Sequence, residues 1–434
     1  MCSGSGTSMN FRKALTIITL IACLFTDPSI APKYLGINPE MYVALVFSLI
    51  FFQILFLLNR RRFIVSQQIF RVFLILATFG LISISYRMLA GQSIGNLSLH
   101  LILISNSFFM VLLFTDKEWK SVLVPAIFLA GIAHFATLFP DSLGFRTNLI
   151  ASTAYDLGDG GLSALLRRET GLFPAPAMLV AFSVVFFVVS FVQLTNTRRK
   201  VLSVFGMVLS VVLGLATFNR SFLVVIAVSI LILIWVTGVR AKDLLLYLFG
   251  TTLLFFFPLG DYLDFVGTRF MSLLEGGLDE TQRWTGDTGV ITGINIFFQY
   301  PLFGNPIAPD GGTLQSLGDQ GQFVNPHNGY VYILAVYGLL AGAPLIFLYV
   351  VSYVRAFHIL VRRQWPKDGV RDIYSHGNFE KLVAILSLCL FPLLMIEPLP
   401  EYGFIMLISI SPFFYGLRSF DIKGVGQVKI KLKT

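Results

Sequence analysis

Charged side chains are scarce in this chain. Asp, Glu, Lys and Arg make up 13% of its 434 residues, about half the share of an ordinary soluble protein. So little charge excludes a water-soluble globular protein of this length, and the 56% hydrophobic content agrees. Cysteine is scarcer still. Cys23 and Cys389 lie within apolar runs and Cys2 in a polar leader, so no external disulfide is expected. Leu20-Ile21-Ala22-Cys23 has the form of a lipoprotein cleavage box, but the first span reads equally well as an uncleaved helix, and lipidation is not the expectation. A Walker loop, His-Glu-x-x-His, Cys-x-x-Cys and Gly-x-Ser-x-Gly are all absent. There is no internal repeat, heptad pattern or low-complexity tract.

What the chain does have is long apolar runs of about 17 to 25 residues, the length of helix that crosses a bilayer. Backbone groups in lipid must be satisfied within the segment, so these runs are helices. They are solid blocks without two-residue alternation, which argues against a β-barrel. The expected fold is an all-α polytopic membrane protein with about twelve transmembrane helices. The spans fall near 14–30, 42–58, 71–86, 98–115, 121–139, 173–194, 201–219, 221–237, 243–260, 328–354, 381–397 and 401–417. The pair at 201–219 and 221–237 leaves room only for a tight turn. With both termini cytoplasmic, 24 of the 32 basic residues lie inside and 16 of the 23 acidic residues outside. This is the bias a correct topology shows, and it makes the positive net charge a membrane signal that does not point to nucleic acid.

The external connections are uneven. The one at 140–172 is long, and the one at 258–327, ahead of the tenth span, is longer still, a length that usually signals function. Within it Tyr262, Phe265, Val266, Phe270 and Leu273 recur at helical spacing, and so do Val290, Ile294 and Phe297. Both stretches suit helices lying in the interface. No Asp, Glu, Lys or Arg falls in the middle of a span, which counts against an ion-coupled transporter. The two histidines within spans, His100 and His134, are expected to be hydrogen-bonded packing residues.

Few basic residues face outward, and Arg167, Arg168, Arg220, Arg269 and Arg283 are most of them. Arg220 occupies the tight turn before a helix N-terminus, a cation beside unpaired N–H groups and thus a ready anion site. The competing role for each arginine is to reach lipid headgroups. His327, in Pro326-His327-Asn328-Gly329-Tyr330, enters the tenth span. It is either a base kept neutral by the helix N-terminus or a capping residue. The external loops hold no Asp-x-Asp, so neither a metal nor a nucleotide-sugar cofactor is indicated.

At these residues the sequence resembles the O-antigen ligase and Wzy-type O-antigen polymerase superfamily of bacterial envelope glycosyltransferases. Arg168-Glu-Thr-Gly171-Leu-Phe173-Pro-Ala-Pro176 is similar to the family's segment leading into a mid-chain span. Phe218-Asn219-Arg220-Ser221 resembles its turn between adjacent spans. Arg283-Trp284 with Tyr300-Pro301-Leu302-Phe303-Gly304 matches its loop pattern. His327-Asn328-Gly329-Tyr330, continuing through Gly338 to Gly342, looks like its entry helix. The likeness covers about residues 165–350. Ala177 departs from it, since many members carry Asn there.

The resemblance implies a donor glycan on undecaprenyl diphosphate, delivered by a flippase to the outer face of the cytoplasmic membrane. His327 would take the proton from an acceptor hydroxyl as it attacks the anomeric carbon with inversion. Arg220 and Arg283 would stabilise the departing diphosphate, with Arg168, Arg269 and Asn328 also contacting substrate and no metal needed. Trp284, Tyr330 and Tyr332 would stack on sugars or form an interfacial belt. A polymerase acting with a chain-length regulator uses a second lipid-linked glycan as acceptor, whereas a ligase uses lipid A–core. The polymerase is preferred. A flippase or transporter of lipid-linked sugars is the rival from another class, disfavoured by the missing charges and repeat symmetry.

Overall fold

The computed structural model describes residues 5–25, 64–66, 117–137, 171–173, 176–194, 200–217, 219–238, 290–305, 328–362, 376–397, 403–421 and 427–429, with parts of 41–53 and 74–89. The helices are α1 (Ser5–Leu24), α2 (Lys117–Ala136), α3 (Pro176–Leu194), α4 (Lys200–Ala216) and α5 (Arg220–Thr237), then α6 (Val290–Gln299), α7 (Gly329–Tyr337), α8 (Ala343–Arg362), α9 (His376–Ile396) and α10 (Gly403–Asp421). Two three-residue strands, β1 (Ile64–Ser66) and β2 (Gln427–Lys429), pair antiparallel with Ile64 opposite Lys429.

Three helical stretches, Pro176–Leu194, Gly329–Arg362 and Gly377–Ile396, are long and apolar enough to cross a membrane, and six shorter apolar helices join them among the described residues. The chain is therefore a helical membrane protein. The spans expected at 98–115 and 243–260 lie outside the described residues, and those at 42–58 and 71–86 are described only in part.

α3 occupies the centre, and every residue from 177 to 193 is buried. A helix apolar on all sides is stable only where other helices surround it. α8 is two-faced instead. Leu345, Leu348, Tyr349, Ser352, Tyr353, Ala356, Ile359 and Leu360 face the bundle. Phe347, Val350, Val354, Phe357 and Val361 form an exposed apolar stripe along the opposite side, the surface a helix shows to lipid. Small residues let the helices approach: a Cβ on Gly206 of α4 would stand 2.4 Å from the Ser190 hydroxyl of α3.

Contacts align the helix ends. His134, buried in the last turn of α2, stacks on Phe173 ahead of α3 with ring centroids 4.5 Å apart. Phe404, at the start of α10, lies 5.7 Å from Phe173 and 5.8 Å from Phe25 at the end of α1. The Leu172 N–H donates to His134 Nδ1 at 3.0 Å, so Nε2 carries the proton and donates to the Phe25 carbonyl at 2.9 Å. His134 is thus the hydrogen-bonded packing residue expected of it; His100 lies outside the described residues. The start of α5 meets the end of α9 through Ser221 and Glu397, and Asn328 ahead of α7 meets Met395. The ends of α1, α2, α4 and α9 and the starts of α3, α5, α7 and α10 therefore gather at one end of the bundle. For α1 to α5, α9 and α10 these directions are the ones the alternating topology requires.

The tenth span differs from the expected single helix over 328–354. Gly338 adopts φ 61° and ψ −164°, which ends α7, and a π-helical turn over Gly338–Gly342 leads into α8. In a straight helix Tyr330 and Tyr349 would stand about 28 Å apart, yet their ring centroids are 6.2 Å apart. α7 therefore folds back along α8, and the crossing helix is α8, Ala343–Arg362. The break is built with the chain after α6. The Asn305 N–H donates to Ala335 O at 2.8 Å, Leu339 N–H to Pro301 O at 2.8 Å and Leu340 N–H to Leu302 O at 3.1 Å.

The helix expected around Val290, Ile294 and Phe297 is present as α6. It packs on Ala335 of α7 through Ile296, buries Gly293, and leaves Ile291, Ile294 and Phe298 exposed, as suits an interfacial helix. The stretch around Tyr262–Leu273 lies outside the described residues.

Candidate functional site

The turn between α4 and α5 is as tight as expected, and its polar groups are already committed. Thr217 Oγ1 donates to Gly214 O at 2.6 Å and accepts the Asn219 N–H at 3.2 Å. Asn219 is the N-cap of α5: its Oδ1 accepts the Ser221 N–H at 2.9 Å and its carbonyl the Phe222 N–H at 3.0 Å. This changes the reading of Arg220, the first residue of α5. The backbone groups beside it are largely satisfied, so an anion there would have to be held mainly by the guanidinium.

α7 begins the same way. Asn328 Oδ1 accepts the N–H groups of Tyr330 and Val331 at 3.0 and 3.1 Å, and its carbonyl accepts that of Tyr332 at 2.9 Å. Its Nδ2 donates to Met395 O at 3.1 Å. Asn328, expected to touch substrate, thus performs the capping that His327 was a candidate for. Asn328→Ala should lower stability by about 1–2 kcal/mol, because it strands two N–H groups. Asn328→Asp, which keeps the acceptor, should lose less. Equal unfolding midpoints for wild type and alanine variant would refute the double cap.

Between these two helix starts lies the end of α9. Ser221 Oγ donates to Glu397 Oε1 at 2.7 Å, and the Glu397 N–H donates to Leu393 O at 2.8 Å. Glu397 is buried, 8% exposed. Three residues, Met395 to Glu397, therefore hold both the start of α5 and the start of α7. Arg220 and His327 are the immediate chain neighbours of the side chains that do the holding. Tyr330 is half-buried and turns its ring toward Tyr349, so it packs within the bundle, its hydroxyl beside that of Tyr353. Tyr332 is buried in the core.

The segment ahead of α3 belongs to the same end. Gly171 lies so close under His134 that a Cβ there would stand 2.5 Å from Nδ1, and Phe173 is the ring that stacks on it. Its glycine and phenylalanine are thus accounted for by packing. His327, Arg283, Arg168, Arg269 and Trp284 lie outside the described residues, as do most of 140–172 and 258–327. Among the described residues no three His, Cys, Asp or Glu side chains form a metal-binding group.

Sequence reasoning passed over Glu397, an acid at the edge of an apolar run whose partner is 176 residues away. It also passed over Asn219 and Asn328 as caps, although Asn directly before an apolar helix is a recognisable start signal. No family model, curated protein or solved structure matches the chain.

Proposed function

We propose that this protein is a glycosyltransferase of the bacterial cytoplasmic membrane that moves a glycan from undecaprenyl diphosphate to an acceptor hydroxyl on the outer face. The reaction favoured is the Wzy-type polymerisation of repeat units. The observation that carries the reading is the shared anchor at Met395–Glu397. Two of the stretches that resemble the transferase family, Asn219-Arg220-Ser221 and Asn328 onward, are tied to one three-residue segment despite their separation in sequence. The charge pattern supports an outward position for that end of the bundle, where a lipid-linked donor would arrive.

In this reading His327 accepts the proton of the acceptor hydroxyl as its oxygen attacks the anomeric carbon. The bond to the diphosphate oxygen breaks on the opposite face, which inverts the centre. Arg220 and Arg283, with Arg168, neutralise the charge left on the diphosphate, and arginine suits this because its planar fork contacts two phosphate oxygens at once. Since the N–H groups around Arg220 are capped, the guanidinium carries most of that work.

The test is a transfer assay with purified protein and undecaprenyl-diphosphate-linked repeat units as the only sugar substrate, run with a chelator present. Wild type should build a ladder of longer lipid-linked glycans, His327→Ala should build none, and Arg220→Lys should be severely slowed. A ladder from His327→Ala would remove the proposed base. Transfer only after lipid A–core is added would make the protein a ligase, and no transfer in either case would favour a flippase.

A further inference from the structure

Glu397 is a buried carboxylate for which the transfer reaction as written has no role. It stands at the C-terminal end of α9, where the helix dipole disfavours negative charge. What holds it there is across the interface: the Ser221 hydroxyl at 2.7 Å, in the first turn of α5, where the dipole favours an anion. Glu397 is therefore placed against its own helix and in favour of its neighbour. Two residues earlier the Met395 carbonyl receives Asn328 Nδ2.

We infer that Glu397 is a positioning residue, which through Ser221 locks the first turn of α5, and with it Arg220, to the segment that also anchors the start of α7. This deepens the transferase reading and rests on it for the purpose of the lock, though the lock itself is independent. The carboxylate acts as the acceptor for Ser221. An amide at the same position keeps that acceptor, whereas alanine at either position removes the bond.

The experiment uses the full chain in lipid nanodiscs and compares wild type, Ser221→Ala, Glu397→Ala, Glu397→Gln and the double alanine variant. Two readouts are taken: amide hydrogen exchange over 219–223, and the affinity for undecaprenyl diphosphate. Exchange at the start of α5 should quicken about tenfold in either alanine variant and no further in the double, because both delete the same bond. Diphosphate affinity should fall about tenfold in the same three proteins. Glu397→Gln keeps an acceptor for Ser221 but gives up the charge, so it should fall between wild type and the alanine variants in both, and unfolding midpoints should move by only a few degrees. Unchanged exchange in Ser221→Ala overturns the lock, and that variant removes no core packing that would unfold the protein. Quickened exchange with unaltered diphosphate affinity overturns the positioning role. If wild type binds no undecaprenyl diphosphate while the exchange pattern holds, the lock stands and the transferase reading falls.

Discussion

His134→Ala is expected to cost about 3–5 kcal/mol of stability, the sum of two lost hydrogen bonds and an aromatic-sized cavity. The ring is fully buried and uses both nitrogens, one for the Phe25 carbonyl and one for the Leu172 N–H. Without it both backbone groups stay buried with no partner, and such groups are expensive where water cannot reach. Phe173 lies 4.5 Å and Phe182 4.8 Å from the ring, so its removal opens a void between them. Three elements meet at this one side chain: the end of α1, the last turn of α2 and the entry to α3. Reversible unfolding in detergent micelles measures the effect. A loss below about 1 kcal/mol would mean that these ends are held by something else.

Gly338→Ala and Gly304→Ala should be comparably damaging, for a different reason. Both residues have positive φ, 61° and 77°. A Cβ on Gly304 would stand 2.1 Å from the Val336 carbonyl oxygen, and one on Gly338 would stand 2.5 Å from the Gly304 nitrogen. The obstacles are backbone, which cannot swing aside. Three hydrogen bonds between 301–305 and α7 with its following turn would be strained together. A loss of about 3 kcal/mol or more is expected, with α6 coming away from α7. Gly238 provides the comparison: φ is 67°, but nothing lies within 4 Å of a Cβ there. Gly238→Ala should therefore show conformational strain alone, about 1–2 kcal/mol. Protease sensitivity of 290–305, read beside unfolding midpoints, separates the two effects. If Gly338→Ala is no worse than Gly238→Ala, the close approach is not rigid.

Most of the helices were legible in the sequence because lipid makes the apolar run itself the signal. α2, α3, α4, α5, α9 and α10 match their expected spans to within a few residues, and α6 followed from helical spacing alone. The fold-back of α7 was not legible. Its residues are as apolar as those of α8, so hydropathy runs straight through Gly338, and the break needs a partner from 300–305 that no local pattern reveals. The candidate site divides the same way. Arg220 stood out as a charge at a turn, but which of its neighbouring N–H groups were free depended on how Asn219 and Thr217 settled. Glu397 looked like one more external acid. Its burial and its bond to Ser221 arise only when α5 and α9 lie side by side.

The small β1–β2 ladder carries a consequence for counting. Ser66 pairs with Gln427 and Ile64 with Lys429. Two strands joined by backbone hydrogen bonds lie on one side of the bilayer, since an open ladder edge is not tolerated within hydrocarbon. A chain that leaves one face after Ser66 and is back on it by Gln427 has crossed an even number of times. The parity holds whatever path the chain takes in between. An odd number of spans between 66 and 427 would put β2 on the opposite face from β1.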